Sequence, residues 1–99
     1  MIDRVVLYKL RDELTTDEAR AEIAAHARVA LRSLPGVRDL RVGVPADEAS
    51  AKSWDLSLVL RFDTLDDLEP YRTDAAHQAF VAYMAERAVV SKRWNFAVD

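Results

Sequence analysis

Apolar and polar positions along the chain switch between a period of two and a period near 3.6. Residues 2–10, IDRVVLYKL, are dense in β-branched and aromatic types and bounded by charge, which predicts a first strand with Arg4, Val6 and Tyr8 on one face. Thr15 with Glu18 three residues on predicts a capping box, and Ile23, Ala27, Ala30, Leu31 and Leu34 then recur at helical spacing. The helix is predicted to stop at Leu34, because Pro35 disfavours helical geometry before it and Gly36 follows. Residues 37–44 alternate as a second strand. Residues 45–53, PADEASAKS, are small and polar, and read as a structureless loop long enough to move over a site.

A third strand, WDLSLVLRF at 54–62, places Trp54, Leu56, Leu58, Leu60 and Phe62 inward and Asp55, Ser57, Val59 and Arg61 outward. Thr64 caps a short helix, LDDLEPYR, which Pro70 kinks or ends. Asp74 restarts a helix through residue 88. Residues 89–98, VVSKRWNFAV, read as a fourth strand with Trp94, Phe96 and Val98 on one face, and Trp94 is expected to face the helices as Trp54 does. The order β-α-β-β-α-β predicts an α+β, ferredoxin-like fold: a four-stranded antiparallel sheet, helices on one side, the second helix broken in two, one domain over 1–99.

Such a sheet leaves one face open. That face would carry Val5, Leu7, Val59 and Ala97 among Lys9, Arg61 and Arg93. A half-apolar open face calls for a partner, and a homodimer stacking sheet on sheet into a dimeric α/β barrel would cover it.

Composition narrows the function classes. A net charge of −3 gives no field that favours nucleic acid or an anionic membrane. There is no cysteine, so thiolate catalysis, disulfides and cysteine zinc sites drop out together. No apolar run approaches the ~20 residues that span a bilayer, and a cytoplasmic protein is expected. Gly36 and Gly43 are the only glycines, too few for a phosphate-cradling loop, so no nucleotide cofactor is expected. Nor is a metal: Asp66, Asp67 and Glu69 read as an acidic first turn that complements the helix dipole.

The candidate chemistry lies in YRTDAAHQAF, 71–80. His77 is one of two histidines, and it falls just after the break. Its imidazole titrates near neutral pH and suits a general base, with Tyr71 orienting a carbonyl or phenolate. The plainer alternative is a histidine donating to a backbone carbonyl. Phe80 and Met84 follow at helical spacing and would line the same cavity. His26 has no neighbour at ligand spacing and reads as structural.

The strings VVLYKLRDELT, SLPGVRDLRVG and Y…AHQAF, in that order, resemble the stress-responsive α/β-barrel (Dabb) domain family. The resemblance implies a dimeric α/β barrel. Similarity to the olivetolic acid cyclase type within that family implies Tyr71 and His77 as catalytic residues beside a pocket between helices and sheet. Two departures stand out. Asp74 replaces the first histidine of the cyclase motif, and Arg4 replaces its strand-one histidine. An arginine stays protonated, so it could bind a carboxylate or enolate but not serve as base. One reading is therefore a pocket for a small hydrophobic or aromatic carbonyl or carboxylate ligand, lined by Arg4, Tyr8, Trp54, Leu58, Phe80 and Trp94. It would be a cofactor-independent cyclase or isomerase with His77 as base, or a cofactor-free monooxygenase. The other reading is a non-catalytic stress-response dimer.

Overall fold

The computed structural model describes all 99 residues. Four strands, β1 (Ile2–Leu10), β2 (Asp39–Gly43), β3 (Leu56–Phe62) and β4 (Ala88–Ala97), form one sheet in the order β2-β3-β1-β4. All neighbours are antiparallel. Four helices connect them: α1 (Asp17–Leu31), α2 (Glu48–Ser53), α3 (Leu68–Thr73) and α4 (Ala75–Ala85). The predicted α+β, ferredoxin-like order is present, with α2 added to it.

The core lies between the helices and one face of the sheet. Val6, Tyr8 and Leu10 alternate inward from β1, and Leu56, Leu58, Leu60 and Phe62 from β3. Ile23, Ala24, Ala27 and Leu31 of α1 and Phe80 and Met84 of α4 pack onto them. Burying each large side chain of this kind contributes roughly 1.5–3 kcal/mol.

Local chemistry sets the element ends. Thr16, not Thr15, caps α1: its Oγ1 accepts from the Ala19 N–H at 3.1 Å. Thr15 instead donates to the Asp12 carbonyl at 2.8 Å. The helix ends at Leu31 rather than Leu34, and a turn through Leu34 leads to Gly36 at φ +79°. A Cβ there would lie 3.3 Å from Asp67 and from Phe62, in a left-handed conformation. Gly36→Ala is therefore expected to lower the unfolding free energy by about 1–2 kcal/mol, which denaturant titration would measure. A loss under a few tenths would show that the turn relaxes.

Three expectations are corrected here. Residues 45–53 are not a structureless loop, because Asp47 caps α2 by accepting from the Ser50 N–H at 2.8 Å. Asp55, expected on the outer face, is fully buried. Its Oδ2 accepts from the Leu10 N–H at 2.7 Å, and its Oδ1 takes Arg20 Nε and Nη2 at 3.0 and 2.7 Å. The third correction concerns β4. Val5 pairs with both Val59 and Trp94, and Asp3 with Arg61 and Phe96. Trp94 and Phe96 thus stand on the open face, not against the helices, while Arg93 and Ala97 turn to the helix side. Side-chain period is two, so a one-residue difference in register exchanges the faces of a whole strand.

Candidate functional site

The broken second helix builds one wall of a cavity, and the inner sheet face builds the other. Asp74 is extended, with φ −63° and ψ 136°, and its Oδ1 accepts from the Ala76 N–H at 2.8 Å. That cap starts α4 at a new angle and puts His77 in its first turn. Tyr71, late in α3, is buried with its ring edge on Phe62, centroids 5.1 Å apart. Across the break the Tyr71 and His77 rings lie 4.3 Å apart. From the sheet come Arg4 and Tyr8 of β1, Leu58 of β3 and Arg93 of β4; Phe80 of α4 meets Tyr8 edge-on. Together they enclose about 230 Å³.

Six of the eight residues expected at the site meet in this cavity: Arg4, Tyr8, Leu58, Tyr71, His77 and Phe80. The two tryptophans do not. Trp54 ends α2 and lines a separate cavity near β2, and Trp94 stands on the opposite face of the sheet. Five lining residues were missed: Arg93, whose face was misassigned with its strand, and Val6, Arg72, Gln78 and Val81. Val81 was legible, since it follows His77 by one helical turn.

Hydrogen bonding fixes the His77 tautomer. Nδ1 lies 3.2 Å from the Arg72 carbonyl oxygen, which accepts only, so Nδ1 carries the proton and Nε2 keeps a free lone pair. Burial, aided by the Arg4 and Arg93 charges, holds the imidazole below its usual pKa, against the opposing hydrogen bond to Arg72 and the Asp74 carboxylate. Burial pushes the Tyr71 phenol up to about 12 despite nearby Arg4. The Tyr8 phenol is raised for the same reason. At neutral pH the site therefore presents two phenolic hydroxyls and a neutral imidazole.

Against these stands Arg4. It is 8% exposed, and its one hydrogen bond runs from Nη1 to Asn95 Oδ1 at 3.0 Å. No carboxylate pairs with it or with Arg93, and no aspartate or glutamate lines the cavity. Burial pulls its pKa down, yet it remains a cation at any physiological pH. A buried cation is normally paired. Here the guanidinium lines the cavity instead.

The sequence profile of the Stress responsive A/B Barrel Domain family, Dabb, matches residues 2–94. A dimeric ferredoxin-like protein from Bacteroides fragilis is 26% identical, with a TM-score of 0.79 over 98% of this chain and 95% of that one. A Dabb protein from Mesorhizobium loti superposes at 0.81, with 14% identity over 99% and 96% of the two chains. The hydroxynitrile lyase of Passiflora edulis superposes at 0.77, with 11% identity over 99% and 93%. No curated protein matches the chain. No helix is long and apolar enough to cross a membrane.

Proposed function

We propose that this chain, which belongs to the Dabb family of stress-responsive A/B barrel domains, binds a small anionic carbonyl compound between its sheet and its broken helix. On that ligand it acts as a cofactor-independent cyclase or isomerase, with His77 as base. The observation that carries the reading is Arg4, buried and without a carboxylate. Its guanidinium fork suits the two oxygens of a carboxylate or the oxygen of an enolate. His77 Nε2 would take a proton from the carbon next to the carbonyl. The electron pair would move onto the carbonyl oxygen, where the neutral Tyr71 hydroxyl and Arg4 stabilise it. Tyr8, Leu58 and Phe80 would hold the apolar body. A volume of about 230 Å³ lies below the usual range of roughly 300–1,000 Å³, so the ligand is small. The same fold carries a lyase in Passiflora edulis. The protein would work as a homodimer through its open sheet face, since similar structures are dimeric.

One contact favours a non-catalytic reading: the His77 hydrogen bond to Arg72 also fits a histidine that merely ties α4 to α3. A thermal-shift screen of β-keto and aromatic carboxylates separates the two. Stabilisation of the wild type, with His77→Ala still folded but turning over no ligand, supports the catalytic reading. The absence of any shift, together with a large loss of stability in His77→Ala, would leave His77 structural.

The pH dependence follows from the depressed His77 pKa. The unfolded chain holds its His77 proton up to about pH 6.5, and the folded chain releases it at a lower pH. The unfolded state therefore binds more protons in that window, and stability falls as pH drops below about 6.5. A catalytic acid limb should appear below the same value. His77→Gln is expected to remove both dependences. An acid limb unchanged in that variant would assign it to another group.

A further inference from the structure

Seven of the eleven arginines pair with a carboxylate. Of the other four, Arg28 and Arg32 are exposed at the end of α1, whereas Arg4 and Arg93 line one cavity. Each of these two has a single, neutral partner: Asn95 for Arg4, and the Ser91 hydroxyl, 2.9 Å from Nη2, for Arg93. Strand register sets their spacing. Arg93 pairs with Val6 and Arg4 with Asn95, so the two arginines are diagonal neighbours on adjacent strands, about 7–8 Å apart at the backbone. β1 lies inside the sheet and β4 is its edge. Arg4 is therefore deep and buried, and Arg93 stands at the rim, exposed.

We infer that the ligand carries two carboxylates, one held by Arg4 deep in the cavity and the other by Arg93 at its rim. The inference rests on the anion reading of Arg4 and adds the substrate class, a short keto dicarboxylate, with Arg93 as a specificity-determining residue. A single carboxylate on Arg4 would leave the second cation without a counter-charge. Two like charges on neighbouring strands also repel each other until an anion answers both. Burial first, and then the Arg93 and Arg72 charges, lower the Arg4 pKa, so these cations already share one field. Arg72 is not free for the ligand, because its Nη2 lies 2.7 Å from Glu69. A single phosphate fits less well. The N-terminus of α4, the usual seat of a phosphate, is already capped by Asp74, and the two guanidinium groups stand at different depths.

The test is calorimetric titration with 2-oxobutanoate and 2-oxopentanedioate, which differ only by a terminal carboxylate. The wild type should bind the diacid at least about 10-fold more tightly, the effect of one further charge-assisted hydrogen bond. Arg93→Gln should abolish that preference and leave the affinity for 2-oxobutanoate unchanged. Circular dichroism should not change either, because Arg93 is exposed. Arg41→Gln removes the same charge from the open face and should keep the preference, which separates a local contact from net charge. Equal affinities in the wild type, with 2-oxobutanoate bound, would overturn the dicarboxylate and keep the Arg4 reading. A preference that survives in Arg93→Gln would overturn the role of Arg93. A preference lost equally in Arg41→Gln would reduce it to net charge and overturn the rim contact. Binding of neither acid would overturn this inference and the anion reading together.

Discussion

Asp55→Ala is expected to lower the unfolding free energy by about 3–5 kcal/mol, the usual cost of removing one partner from a buried ion pair. The carboxylate is fully buried and serves two donors at once: the Leu10 backbone and the Arg20 guanidinium, whose side chain is 12% exposed. Alanine would strand both. The Leu10 N–H ends β1 and has nowhere else to donate, and Arg20 would keep only a 3.7 Å contact to the exposed Asp17. A domain of this size has a total stability of roughly 5–15 kcal/mol, so the melting temperature should fall by well over 10 °C. Asp55→Asn separates the two roles. Its carbonyl oxygen can still accept from Leu10 while the charge is gone, so an intermediate loss is expected. Equal losses in both variants would assign the stabilisation to the charge. A loss under about 1 kcal/mol in Asp55→Ala would show that Arg20 and Leu10 find water instead.

Asp55 also marks where reading the chain by pattern stops working. Period-two alternation identified the inner faces of β1 and β3 correctly, because one side of each carries the larger apolar run while the other mixes Val5, Leu7 and Val59 with charged and polar residues. It failed at Asp55, which lies just before the β3 ladder begins and where a polar side chain is buried because α1 supplies a cation. It failed again along β4. Trp94, Phe96 and Val98 form an apolar set, but β4 is an edge strand, and its apolar side meets the open face. Hydrophobicity names a buried face without saying whether helices or another subunit bury it. The site was more legible, since Tyr71, Asp74 and His77 act through local geometry. A cap and a short break put two rings together whatever the rest of the fold does. Arg93 was lost with its strand, and the second cation of the cavity was lost with it. Residues 45–53 misled for a different reason: composition suggested a loop, while one aspartate at the cap position was enough to start a helix.

Arg4→Met is expected to abolish anion binding while leaving the ligand-free protein as stable as the wild type or more so. The two halves of that expectation come from the same observation. The guanidinium is buried and makes one hydrogen bond, to the exposed Asn95. Replacing a buried cation that no carboxylate compensates by an apolar side chain of similar length removes a desolvation cost; even where whole buried ion pairs are replaced by apolar residues, the change is neutral or stabilising by about 1–4 kcal/mol. A bound carboxylate reverses the balance. Two charge-assisted hydrogen bonds contribute about 1.5–3 kcal/mol each, so losing them should weaken affinity by roughly 100-fold or more. Arg4→Lys keeps the charge but not the fork, and should fall between the two. Calorimetric titration with the best carboxylate from the screen, beside melting curves of the three ligand-free proteins, measures both halves. A site evolved for function gives up stability to hold its charge ready. If Arg4→Met instead melted early while keeping its affinity, Arg4 would be a structural residue, and the anion would have to be sought at Arg93.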